Sequence, residues 1–502
     1  MSAPGEGRPA HGAVGVLAAR VRGLRGELSV PLYRNAYALM LNTVVNSLFG
    51  LLYWIFAART FDADEVGRGN ALVSLMMLVS VLTQLNFGQA LIRFLPRAGM
   101  SSARLLRAAY GLSAVVSVVV AAGVMAYCHW ARGPDDPLHV SLPFAAWFVV
   151  STAAWSVFNL QDNALTGLRS SMWVALENGV YGVVKLVLLV VVAGTGLQDG
   201  VFTSWTLPVI ALLVPVNLLI FRRILPRHAR ESEANARLPD RATLVRYMAG
   251  DYTGQVFNQA TSSFLPVLVV HLMGPAQAAF LLPAQTVFIA MNLLSLGITS
   301  SLVVEGARDE AQAHRHALAI LKRIAVTVVP AALVIALVAP WLLQLYGSEY
   351  RANATVLLQL LMLSTFPRVV VTLYMTMSRL QNRTGRLAVL QGIHAVVLLT
   401  GTALLAGRLG LDAVGWSWLG IEIVLALALG RPVLRWLRPP RTGGDGPRDS
   451  EATILMDRVD PTERTDRFAP VDQGATEPVR RPGAPGGAGS DPPTQPIRRV
   501  SP

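Results

Sequence analysis

Charge is scarce along this chain, and so are the residues of redox and nucleotide chemistry. Of 502 residues only 15% are charged against 53% hydrophobic, with a mean hydropathy of +0.47. Soluble proteins carry about 25% charged residues, so a water-soluble globular fold is excluded and an integral membrane protein is implied. The single cysteine, Cys128, excludes an intrachain disulfide. With no second thiol and no clustered histidine, neither zinc nor redox chemistry is expected. Lysine is almost missing. The two present, Lys185 and Lys322, follow no Gly-rich loop and precede no Ser or Thr, so no Walker A site exists. Long external loops are lacking as well, which leaves no room for a catalytic ectodomain. The acidic pair Asp135 and Asp136 stands in Gly-Pro-Asp-Asp-Pro, which is turn chemistry. No catalytic residue, metal or cofactor is expected.

What the chain has in abundance is apolar runs of spanning length, about 20 residues each. They fall near 35–57, 69–91, 105–128, 141–162, 171–194 and 201–221, then 247–272, 276–303, 317–345, 353–378, 386–407 and 413–436. The fold class is therefore an all-α integral membrane protein of about 12 spans. The formal net charge of +13 resides in arginines of the short connections, where it reads as a topology signal rather than a nucleic-acid surface. Even-numbered connections and terminal flanks hold roughly 28 arginines and the odd connections roughly 5. By the positive-inside rule both termini face the cytoplasm of a plasma-membrane protein.

The longest connection between spans, Arg222 to Arg246, divides them six and six, and an offset of about 212 residues aligns Asn46 with Asn258 and Arg59 with His271. Each half starts inside, so the repeats run parallel, related by a pseudo-two-fold along the membrane normal. The expected organisation is a basic leader over 1–34, an N-lobe over 35–222, a linker over 223–246, a C-lobe over 247–438 and a tail over 439–502. The leader offers no signal-peptide core; it reads either as a basic amphipathic helix on the inner leaflet or as a disordered segment. The tail, rich in Pro, Gly, Asp, Thr and Arg, reads as disordered.

A polar hairpin joins the first two spans. Asp62 is placed to cap the second helix with Glu65 reaching back, and Phe61 and Val66 sit where a hydrophobic staple closes. Small residues at Gly67, Gly69, Ala71 and Ser74 then predict close helix packing. The run Ala57-Ala-Arg, Glu65-Val-Gly, Ala71-Leu and L-x-x-G-x-A-L-x-R-F-L-P from Leu85 to Pro96 resembles the first hairpin of bacterial polysaccharide-export flippases. These belong to the multidrug/oligosaccharidyl-lipid/polysaccharide exporter superfamily. The likeness covers Asn35 to Pro96 in residues and the remainder only in helix count. It implies two six-helix lobes around a central cavity lined by the leading helices, and a lipid-linked oligosaccharide of undecaprenyl-diphosphate type as substrate. The superfamily's multidrug branch makes cation antiport the alternative, and a transport-inactive scaffold a second one.

Polar residues inside spans are the candidate binding groups. On the first span Asn35, Asn42, Asn46 and Tyr53 share a face, as do Asp251, Gln255, Asn258 and Ser262 on the seventh. These stripes line either a wet cavity or helix contacts within a lobe. Asp251 is the candidate for a coupling ion, with simple helix capping as the alternative. Lys185, on a face with Tyr181 and Glu177, and Arg368, after Pro367, lie deep in apolar context. Each holds an anionic headgroup or forms an internal ion pair, Lys185 with Glu177 and Arg368 with Glu422. In the tail, Thr476-Glu-Pro-Val-Arg-Arg recurs as Thr494-Gln-Pro-Ile-Arg-Arg. Thr476 and Thr494 are candidate phosphorylation sites, and a phosphothreonine-reading cytoplasmic protein or an envelope-glycan assembly enzyme the candidate partner.

Overall fold

The twelve apolar runs become twelve long helices. A computed structural model describes residues 31–131, 139–197, 199–232, 241–306, 310–380 and 384–437. Residues 1–30 of the leader, the tail and the Asp135–Asp136 turn lie outside the described residues, while residues 31–34, expected in the leader, already belong to the first helix. The first half comprises α1 (Pro31–Thr60), α2 (Ala63–Thr83), the short α3 (Phe87–Phe94), α4 (Ser102–Trp130), α5 (Leu142–Gly167), α6 (Ser171–Ala193) and α7 (Gly200–Leu219). A π turn, Ile220–Ile224, carries α7 into α8 (Leu225–Ser232). The second half is α9 (Arg241–Met273), α10 (Pro275–Gly306), α11 (Glu310–Gln344), α12 (Ser348–Leu380), α13 (Thr384–Leu409) and α14 (Asp412–Leu437). Among the described residues eleven helices meet the length and hydropathy of a membrane span, and α9 contributes the shorter apolar stretch Gln259–Met273.

The two halves repeat each other's packing. α1 lies along α6 as α9 lies along α13, and α4 on α5 matches α11 on α12. Likewise α5 on α7 corresponds to α12 on α14, and α2 on α5 to α10 on α12. Each half is one six-helix lobe, as expected for the fold class. Apolar helices exposing Leu41, Val44, Leu48, Val334, Leu337 and Leu404 are stable only where hydrocarbon replaces water around them.

The second span departs from the sequence expectation. It starts at Ala63, ahead of the apolar run, and ends at Thr83 instead of 91. Leu85 and Asn86 adopt left-handed backbone, φ 48° and 62°, and the chain restarts as α3. Hydropathy does not register such a break, because the residues on both sides are equally apolar. Asn86 is fixed there by donating from Nδ2 to Met248 O at 3.2 Å. The expected capping box also differs: Asp62 occupies the cap position of α2 without a side-chain cap bond. It is Asp64 that caps, and it caps the other lobe, accepting from Ala276 N at 3.0 Å in the first turn of α10.

That contact belongs to a seam joining the lobes at their arginine-poor end. A Cβ on Gly67 would stand 1.7 Å from Pro275 O, so only glycine lets α2 and α10 approach. Asn70 donates to Ala278 O at 3.4 Å. Arg59, at the end of α1, donates to Leu345 O at 3.0 Å and Gln344 O at 2.9 Å, covering the carbonyl end of α11. Toward the arginine-rich end α2 and α3 stay against α9, through Tyr252 Oη donating to Leu82 O at 2.5 Å and Arg93 over the Tyr247 ring.

Candidate functional site

Ionisable side chains in the middle of apolar helices are the natural starting point, since each costs about 2.5–3.5 kcal/mol to insert. In the C-lobe three converge: Arg368 on α12, His394 on α13 and Glu422 on α14. Arg368 Nη1 donates to Glu422 Oε1, and His394 Nε2 lies 3.2 Å from the same oxygen. The internal pair anticipated for Arg368 is thus formed, but the two partners are not equally placed. Glu422 has no exposed side-chain surface, whereas the Arg368 side chain is 25% exposed. The guanidinium fronts an opening and the carboxylate stands behind it.

The opening is a cavity of about 350 Å³ walled by α9, α10, α12, α13 and α14. Amide and hydroxyl groups of Gln259, Thr261, Ser262, Gln285, Asn292 and Gln391 line it, together with the Phe288 and Trp418 rings. Those two rings pack edge to face at 4.8 Å, and Arg368 stands 5.8 Å from the Phe288 centroid. Gln285 is held by donating to Ser262 O at 2.6 Å. Trp418 Nε1 is buried without a hydrogen-bond partner. Pro367 removes a backbone donor one residue before Arg368. Such a wall offers one cation, several neutral hydrogen-bonding groups and flat rings.

In the N-lobe the Lys185–Glu177 pair, the alternative to a headgroup role for Lys185, does not form. Lys185 is 4% exposed and its Nζ sits 3.9 Å from the Trp205 ring centroid, 4.7 Å from that of Tyr181 and 5.3 Å from that of Tyr53. Glu177 lies eight residues earlier on α6, about 12 Å of helix rise, and Lys185 is held in an aromatic cage one turn short of it. Both Glu177 carboxylate oxygens lack any hydrogen-bond partner.

The polar stripe of α1 divides. Tyr53 is fully buried, donating to Val201 O at 2.7 Å and 2.8 Å from Ser204 Oγ, so it holds the lobe together. Asn46 is exposed and donates to half-buried Asn42 Oδ1 at 3.2 Å, leaving amide groups of both open. α1 allows this because it packs along α6, where Gly182 accepts the Phe49 ring at a distance a Cβ would reduce to 2.5 Å. On α9 the side chains of Asp251, Gln255 and Asn258 lie outside the described residues, as do Thr476 and Thr494. Sequence reasoning did not single out His394, Asp162, Trp205 and Trp418. A count of every ionisable group inside a span would have found the first two.

No family model matches the sequence, and no curated protein matches it. Solved structures do match in fold. An inward-facing multidrug resistance MATE family transporter of the MOP superfamily superposes with a TM-score of 0.60 at 14% identity, covering 82% of this chain and 100% of its own. An outward-facing transporter of the same description gives 0.54 at 16% identity, over 84% and 98%. A MOP superfamily transporter from Pyrococcus furiosus, described as having a binding pocket of reverse polarity that suggests a different function, gives 0.54 at 14%, over 81% and 96%. The chain has the MATE-like fold, two lobes of six helices each.

Proposed function

We propose that this protein is a flippase that carries a lipid-linked oligosaccharide of undecaprenyl-diphosphate type from the inner to the outer leaflet of the plasma membrane by alternating access of its lobes. One observation carries the reading: the C-lobe cavity presents a guanidinium at its surface and keeps the matching carboxylate buried behind it. An anionic, hydroxyl-rich headgroup finds there a planar donor fork for phosphate oxygens, amides for sugar hydroxyls and rings for sugar faces. A lipophilic cation would require the reverse. The asparagines of α1 extend the polar route, and the sequence of α9 adds Gln255 and Asn258 as candidate substrate groups. Between α2, α4 and α9 an apolar slot of about 440 Å³, lined by Leu75, Leu78, Leu82, Val120, Val124 and Leu268 among others, has the chemistry for the lipid tail.

The arginine-rich end, both termini included, is cytoplasmic in this reading. The seam at the arginine-poor end is then an outer gate, and the better fit to an inward-facing neighbour accords with it. Envelope-glycan assembly enzymes supply the substrate on the inner side. Drug or cation antiport is the second reading, favoured by the multidrug description of two fold neighbours. The P. furiosus neighbour supports the idea that pocket polarity varies within this fold. Binding of a soluble polyprenyl-diphosphate sugar to purified protein, competed by inorganic diphosphate and not by cationic dyes, is the expected result. Competition by the dyes alone would assign the antiport function.

A further inference from the structure

Glu422 Oε1 is shared by two basic side chains. Arg368 Nη1 donates to it from α12, and His394 Nε2 stands 3.2 Å from it on α13. The other oxygen, Oε2, is buried without a hydrogen-bond partner. Arg368 and His394 both line the C-lobe cavity, with side chains 25% and 12% exposed, whereas the Glu422 side chain has no exposed surface. The two are not equally free to leave the carboxylate. Arg368 is long and has the cavity in front of it. His394 is short, and the Trp418 ring packs against its imidazole at 5.7 Å.

An anionic headgroup that takes up the guanidinium places two anions, ligand and Glu422, on one cation. With a neutral imidazole the buried carboxylate would face that ligand undercompensated. A protonated imidazole supplies the second cation and a charge-assisted hydrogen bond to Oε1. No other ionisable residue stands beside the cluster along the surrounding helices. α10 has none between Pro275 and Glu305, and α11 none between Arg323 and Gln344. On α12 Tyr374 is six residues from Arg368, and on α13 Arg386 and Arg408 are eight and fourteen from His394. On α14 Asp412 and Arg431 are ten and nine from Glu422, and on α9 Asp251, Tyr252 and His271 are at least seven from the cavity-lining Gln259, Thr261 and Ser262. Six residues of helix is already about 9 Å of rise.

We infer that His394 is a positioning residue that takes over Glu422 when Arg368 engages the headgroup, so that a protonated imidazole belongs to the substrate-bound state. The inference rests on the headgroup reading proposed above and adds one proton to it. Linkage sets the sign. The bound state holds the proton more tightly than the empty one, so affinity is highest where the imidazole is protonated and falls as pH rises, by at most about tenfold per pH unit for one proton.

The test titrates full-length protein in lipid nanodiscs with a water-soluble, short-chain polyprenyl-diphosphate sugar, whose two phosphates are diesters and stay ionised across the imidazole range of about pH 5 to 8. Calorimetry in two buffers of different ionisation enthalpy counts the protons taken up on binding. Wild type should take up a proton and bind more weakly as pH rises. His394→Gln keeps an amide donor for Glu422 but cannot carry charge, so it should bind at every pH with the weak affinity of wild type at the alkaline end and take up no proton. Glu422→Gln removes the carboxylate that needs the imidazole, so its binding should be level with pH and free of proton uptake although His394 is intact. Level binding by wild type, proton release on binding, or uptake that persists in Glu422→Gln would each overturn the inference and leave the headgroup reading standing. Absence of binding at every pH would overturn both. If His394→Gln does not fold, the comparison of wild type with Glu422→Gln decides.

Discussion

Removing Arg368 should harm the protein more than removing both members of its pair, and this asymmetry follows from where each sits. Glu422 has no exposed side-chain surface and its Oε2 has no partner, so its charge is compensated only through Oε1 by Arg368 and His394. Arg368→Met strands that charge, and stranding one member of a buried pair costs about 3–5 kcal/mol. Glu422→Gln leaves a guanidinium that already fronts the cavity and can be hydrated there, so the loss reduces to that of charge-assisted hydrogen bonds, about 1.5–3 kcal/mol. In the double variant neither charge is left behind, and its stability should exceed that of Arg368→Met, with a coupling of about 0.5–3 kcal/mol. Denaturant unfolding in mild detergent measures all four corners of the cycle. The same variants separate structure from binding: Glu422→Gln should keep headgroup affinity or raise it, while the folded double variant should have lost it. A stable, fully binding Arg368→Met/Glu422→Gln protein would refute the assignment of Arg368 to the substrate.

Lys185→Met should cost about 2 kcal/mol, the worth of a desolvated cation over aromatic rings, and lower translocation without unfolding the N-lobe; normal transport by the folded variant would restrict Lys185 to packing. Gly67→Ala places a Cβ 1.7 Å from Pro275 O, so cysteine accessibility at the arginine-poor end should rise as the gate opens; unchanged accessibility would mean the seam is not a gate. Asp64→Ala removes the cap of α10 and should weaken the same seam by about 0.5–2 kcal/mol, read as a lower melting temperature. Deleting residues 439–502 should leave translocation intact, while phosphopeptide mapping should find Thr476 and Thr494 modified; a truncated protein that cannot transport would contradict the first, and two unmodified threonines the second.

Hydropathy alone placed the twelve helices, because in a bilayer every span must satisfy its own backbone and declare itself by length. The two lobes were legible in the helix count, six in each half, and the halves repeat the same helix pairings. The turn at Leu85 and Asn86 was hidden, since a left-handed break changes backbone geometry and not apolarity. The face shared by Asn42, Asn46 and Tyr53 was correctly drawn, yet one helix face can meet two environments along its length. Gly182 draws α1 onto α6, and Tyr53 is swallowed by the lobe while Asn46 stays open. The alternative pairing of Lys185 with Glu177 did not form, because sharing a face does not bring two residues into contact when eight positions, about 12 Å of helix rise, separate them.

Translocation itself is the most direct measurement of the central claim. Full-length protein reconstituted into liposomes would be given fluorescent undecaprenyl-diphosphate oligosaccharide in one leaflet and, separately, a cationic dye in the lumen. The lipid-linked glycan should cross at a rate that falls to the protein-free level in the Arg368→Met/Glu422→Gln variant, with the dye retained. Export of the dye with no movement of the glycan would contradict the account.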